Sequence, residues 1–129
     1  VTARWLTDEW FEAAGSALEG LHGPPTLEGT VVVEVVGGPE GDTTGHVAFA
    51  EGRLVAGGPG PAPGSDLTLT LSDTDARAVV AGDLDPSVAF MQGRMKVAGA
   101  MAPLLDLLAL AGTDEGRARI GRVAELTEF

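Results

Sequence analysis

Few side chains in this chain could do covalent chemistry, and their spacing narrows the options. Ser16, in AAGSALEG, lacks the second glycine of a nucleophile elbow and falls inside a predicted helix rather than at a strand-to-helix turn. His22 and His46 are the only histidines, one in a Gly/Pro turn and one opening a strand, and neither has a second histidine or a carboxylate at metal-ligand spacing. Asp73, Asp75, Asp83 and Asp85 could be read as a carboxylate cluster for acid-base work or calcium, but they stand at helix starts, where capping and the helix dipole account for them. Gly58-Pro59-Gly60 is a poor phosphate loop, because proline removes backbone donors and no Lys-Ser/Thr follows. With no cysteine there is no disulfide, thiolate zinc site or cysteine nucleophile. No acid, base and nucleophile set emerges, so the expectation is a non-enzymatic protein without a cofactor.

The elements that position these residues are read from periodicity. Thr7 caps a helix whose Trp10, Ala14, Leu18 and Leu21 recur at helical spacing, and Gly23-Pro24-Pro25 stops it. TLEGTVVVEVV, from Thr26, is a β-branched strand. HVAFAEGRLVA reads as two short strands around a tight turn at Glu51-Gly52, and residues 57–65 as a Gly/Pro loop. DLTLTLS alternates cleanly, with Leu67, Leu69 and Leu71 on one face. Ser72 to Asp75 resembles a capping box, Gly82 ends that helix, and Asp85-Pro86 opens a short helix through Met91. A strand RMKVA follows, with Met95 and Val97 opposite Arg94 and Lys96, then a helix from Met101 to about Ala111. A last amphipathic helix from Thr113 carries Ile120, Val123, Leu126 and Phe129 at steps of three and is expected to dock as a lid.

The helix from Met101 is apolar on nearly every side. Met101, Leu104, Leu105 and Leu108 form the stripe expected to pack on a sheet, which leaves Leu107 and Leu110 to be covered by the last helix, a partner chain or an apolar ligand.

Composition sets further bounds. The length of 129 residues fits one domain, residues 1–129, large enough for a core and a small cavity. A formal charge of -11 disfavours nucleic acid and anionic surfaces as partners. No run of about 18 apolar residues exists to span a bilayer, and VTARWLTDEW has no signal-peptide pattern. Thr127-Glu128-Phe129 is not a Ser-Lys-Leu peroxisomal address; the absence of cysteine is compatible with a reducing cytoplasm, the expected setting.

The stretch GDLDPSVAFMQGRMKVAGAMAPLLDL resembles the sterol carrier protein 2, or sterol-transfer, family through Gly82, Pro86, Phe90, Met91, Gly93, Arg94, Met95, Lys96, Val97, Gly99 and Met101. DLTLTLSDTDARAVVAG resembles the strand-then-helix element of that family, so the specific likeness covers roughly residues 66 to 110. The resemblance implies an α/β (α+β) fold: a five-stranded mixed sheet covered on one face by helices, enclosing an apolar tunnel for sterols, fatty acids or their thioesters.

The tunnel wall expected on this reading draws Trp10 from the first helix and Val33, Phe49 and Leu69 from the strands. Phe90, Met91, Met95 and Val97 come from the next helix and strand, and Met101, Leu104, Leu105 and Leu108 from the apolar helix. Gln92, the only carboxamide in the chain, is the candidate polar anchor. Burying about 12 methylenes at roughly 0.8 kcal/mol each gives on the order of 10 kcal/mol gross, within the cost of association, so affinity depends on an anchor or a preformed tunnel. The expected partner is a small apolar lipid. The competing reading is a structural or interaction module, with a homodimer or an enzyme as partner.

Overall fold

The computed structural model describes residues 2–129. Five strands form one mixed sheet in the order β4-β3-β2-β5-β6: β2 (Gly29–Gly38), β3 (Gly41–Ala50), β4 (Arg53–Pro59), β5 (Leu67–Ser72) and β6 (Lys96–Gly99). Only the central β2–β5 pair is parallel. The helices are α1 (Asp8–Leu18), α2 (Asp73–Ala81), α3 (Pro86–Met91), α4 (Met101–Ala111) and α5 (Asp114–Glu125). A separate parallel pair, β1 (Ala3–Arg4) with β7 (Thr127–Glu128), clasps the two end segments together.

Alternation explains which face of the sheet is covered. Val31 and Val35 of β2 lie beside Leu67 and Leu71 of β5 and are buried with Leu69 in the main core. Their neighbours Glu34, Thr68 and Thr70 point the other way and are only half-buried. The helices begin where short polar side chains can accept an orphan backbone N–H. Thr7 caps α1 at Trp10 N, Ser72 caps α2 at Asp75 N, Asp85 caps α3 at Ser87 N, and Thr113 caps α5 at Gly116 N. Between β3 and β4, Glu51 and Gly52 take φ of 50° and 82°, the left-handed pair that a two-residue type I′ hairpin requires.

Several boundaries differ from the sequence reading. β4 runs through Gly57 and Gly58 to Pro59, because pairing with β3 supplies the order that the local composition lacks. α1 stops at Leu18; Leu21 lies beyond it, and its carbonyl accepts from Leu54 N at 3.1 Å. Arg94 and Met95 precede β6 rather than opening it, since both backbone N–H groups donate to the Ala89 carbonyl at the end of α3.

The apolar helix α4 is rotated from the expected stripe. Leu104 and Leu110 are buried, Leu107 and Leu108 are half-buried, and Met101 and Leu105 are exposed. The cover for Leu110 is a second, smaller core built from Leu21, Leu27, Phe49 and Leu54, against which Leu107 also packs. Folding of the chain itself therefore accounts for Leu107 and Leu110. α5 is likewise fastened rather than loosely docked. Val123 is buried in the main core, and Arg119 donates to the carbonyls of Ala17 and Glu19 at 3.3 and 2.7 Å. Leu126 and Phe129 lie beyond its last turn.

Candidate functional site

Beneath α1 and beside α2 lies a partly enclosed cavity of about 200 Å³. Its roof is the inward face of α1: Trp10, Phe11, Ala14, Gly15 and Leu18, at the spacing of a helix stripe. Val33, Val35, Val47 and Leu71 form the floor with Gly45 and Gly57, and Ala76, Val79 and Val80 of α2 close the far side. Trp5 and Leu6 complete the near wall, with Leu6 held at φ 63°. That left-handed backbone is unfavourable for leucine and is maintained by burial of its side chain.

The wall is apolar because its polar edges are turned outward and satisfied. Trp5 Nε1 donates to Asp73 Oδ1 at 2.7 Å, and Trp10 Nε1 donates to Thr127 Oγ1 at 2.8 Å. The indoles meet edge-on at 4.8 Å, so both present carbon to the cavity. Asp73 also accepts from Arg77 Nε at 2.6 Å, and that guanidinium lies 5.5 Å from the Trp5 ring centroid. His46 contributes to the rim, but its strand neighbours Gly45 and Val47 face the helices. Its ring therefore stands on the opposite face of the sheet, with Nδ1 3.0 Å from the Gly60 carbonyl oxygen.

Missing side chains let α1 sit close to the sheet. A Cβ on Gly15 would lie 3.6 Å from the Gly57 carbonyl, so α1 and β4 meet backbone to backbone. Beyond that contact a more open groove carries Glu12, Ser16, Glu19 and Arg53.

Of the residues expected to line a tunnel, Trp10 and Val33 line this cavity. Phe49 lies in the smaller core. Leu69, Met95 and Leu104 are buried in the main core, with Phe90, Val97 and Leu108 packed partly buried against it. Met91, Gln92, Met101 and Leu105 are on the outer surface. The Gln92 carboxamide oxygen accepts from Arg94 Nη1 at 3.1 Å, and Arg94 also pairs with Asp75 at 2.8 Å. The lining from Trp5, Leu6, Phe11, the strand glycines and α2 was not anticipated. Ala76, Val79 and Val80 recur at helical spacing in ARAVVAG, and glycines inside strands mark close approach; together those signals point here.

Three of the four carboxylates read as caps have side-chain partners. Asp73 and Asp75 pair with Arg77 and Arg94, and Asp85 caps α3. Among the described residues no group of three His, Cys, Asp or Glu side chains could hold a metal ion, and no helix is long and apolar enough to cross a membrane.

Comparison with known proteins places this architecture. The model of the SCP-2 sterol transfer family matches residues 16–112. This chain belongs to that family. It is 33% identical over 85 residues to sterol carrier protein 2 of Gallus gallus, a match spanning 66% of this chain and 13% of the chicken protein. A conserved hypothetical protein of Thermus thermophilus, solved in solution, superimposes with a TM-score of 0.65 at 18% identity, over 100% of this chain and 94% of that one. Palmitated SCP2L2 of Aedes aegypti gives a TM-score of 0.61 at 19% identity, covering 81% of this chain and 90% of the mosquito chain. As a member of the family the chain carries its mixed five-stranded sheet with helices, and the sterol-transfer family as a whole points to lipid binding or transfer.

Proposed function

We propose that this protein is a non-enzymatic lipid carrier that holds the apolar part of a sterol-like, fatty acid or fatty acyl ligand between α1, α2 and the sheet. The observation that carries the reading is the cavity wall, which is carbon-lined although two tryptophans and a histidine border it. A pocket without a polar anchor gives affinity through burial alone, at roughly 25 cal/mol per Å² of apolar surface, so the ligand's polar end stays at the mouth. Family membership supports the same reading, and the palmitated mosquito neighbour has a comparable fold. The setting expected for such a carrier is cytoplasmic.

The test uses Trp10 as reporter. In a delipidated Trp5→Phe variant, whose Asp73 keeps its Arg77 partner, titration with palmitate should change Trp10 emission saturably in the micromolar range. Native mass spectrometry of the purified protein should show co-purifying lipid. Flat emission with no lipid adduct would remove the carrier reading.

A second reading has its own observation. Met91, Met101 and Leu105 are large apolar side chains left more than half exposed, at 75%, 53% and 56%. They fit a protein contact, such as a homodimer or an enzyme served by the carrier. Lipid-free protein that sediments as a concentration-dependent dimer would favour that module.

A further inference from the structure

The strand glycines of the cavity floor do not all leave space open. A Cβ added at Gly45 would clash with the Cδ1–Cε1 edge of the Phe11 ring, so that edge rests directly on bare backbone. Gly45 is buried at the centre of the floor, opposite Val33 of β2 and Pro59 of β4. Phe11 itself is only half-buried, whereas Trp10 and Ala14 beside it on α1 are buried. Its described aromatic contact is edge-on to Trp10 at 5.1 Å. The ring therefore covers Gly45 in the floor while packing only partly buried against the main core. The space left is about 200 Å³, below the roughly 300–1,000 Å³ of sites that enclose a whole drug-sized ligand.

Resting on the carrier reading above, we propose that Phe11 seated on Gly45 sets the width of the ligand. The cavity takes a single unbranched acyl chain and turns away a fused-ring sterol unless the ring leaves its seat. A flexible chain can thread a narrow carbon-lined space segment by segment. A rigid ring system needs its full cross-section at once, and the Phe11 ring holds that cross-section. A half-exposed phenylalanine can leave with a modest loss of burial, so width is set by one rotamer rather than by the whole fold.

The experiment compares two probes, cis-parinaric acid and dehydroergosterol, on the delipidated full chain and on Phe11→Ala, Phe11→Leu, Gly45→Ala and the Phe11→Ala, Gly45→Ala double variant. Wild type should bind the acyl probe at least roughly tenfold more tightly than the sterol, the scale on which apolar pockets discriminate. Phe11→Ala removes the ring and Gly45→Ala denies it its seat, so each should narrow that gap by strengthening sterol binding. Phe11→Leu should fall between wild type and Phe11→Ala. The double variant should add nothing to Phe11→Ala, because the two changes act through one ring. A gap unchanged in Phe11→Ala and Phe11→Leu proteins of native circular dichroism would overturn the assignment, as would a wild type that binds both probes equally. If wild type binds neither probe, the carrier reading itself falls and the width filter with it.

Discussion

Thr127 shows how much can depend on one hydroxyl. Its Oγ1 donates to the Val123 carbonyl at 2.6 Å and accepts from Trp10 Nε1 at 2.8 Å, joining the chain's last segment to the roof of the cavity. Thr127→Val keeps the shape but leaves the indole N–H without its acceptor, which costs about 1–3 kcal/mol for a buried donor. Urea denaturation should show that loss in the midpoint with an unchanged slope. A midpoint equal to wild type would mean that water satisfies Trp10 in place of Thr127. Gly45 makes the complementary point, since its role lies in what it lacks. The pattern HVAFA shows that a strand is present, but no local feature of Gly45 shows that a ring from α1, thirty-odd residues earlier, will rest on it.

At the scale of elements, α5 is held by charge as well as by carbon. Arg119 reaches two carbonyls at the end of α1, groups that the helix leaves without internal partners. Arg119→Ala should destabilise the fold by about 1–2 kcal/mol, discounted from a buried charge-assisted pair because the side chain is partly exposed. The same variant should raise hydrogen exchange in residues 113 to 129, and protection equal to wild type would mean that the packing of Val123 holds α5 without Arg119. Strand alternation in Val31 to Val35 and Leu67 to Leu71 suffices to place the sheet's covered face, and capping residues suffice to start four of the helices. The orientation of α4 is not accessible in the same way. With leucine at 104, 105, 107, 108 and 110, its periodicity supports more than one stripe, and the choice is made by a smaller core assembled from distant loops. The cavity suffers similarly: its walls come from segments far apart in sequence, whereas the family likeness is densest at residues 66 to 110, most of whose apolar side chains pack the core or face solvent.

The whole molecule carries a formal charge of -11, while the cavity wall carries none. An anionic ligand head left at the mouth therefore meets a repulsive field that a neutral head does not. Raising ionic strength from about 0.01 M to 0.15 M shortens the screening length from roughly 30 to 8 Å. Palmitate association, followed by stopped-flow fluorescence at pH 7, should accelerate over that range, and hexadecanol association should not. Slower palmitate uptake at higher salt would point to a cationic anchor such as Arg53 in the neighbouring groove.

The β1–β7 clasp also has a mechanical side. Because the two strands run parallel, with Ala3 beside Thr127 and Arg4 beside Glu128, tension applied across the chain's ends slides one strand along the other. The bonds from Ala3 N to Leu126 O and from Trp5 N to Glu128 O then bear the load together instead of parting in turn. Once they yield, Trp5 and Leu6 are drawn away from the near wall while the five-stranded sheet, joined through other residues, is still intact. A pull on the ends is thus expected to open the near wall of the cavity before the five-stranded sheet separates.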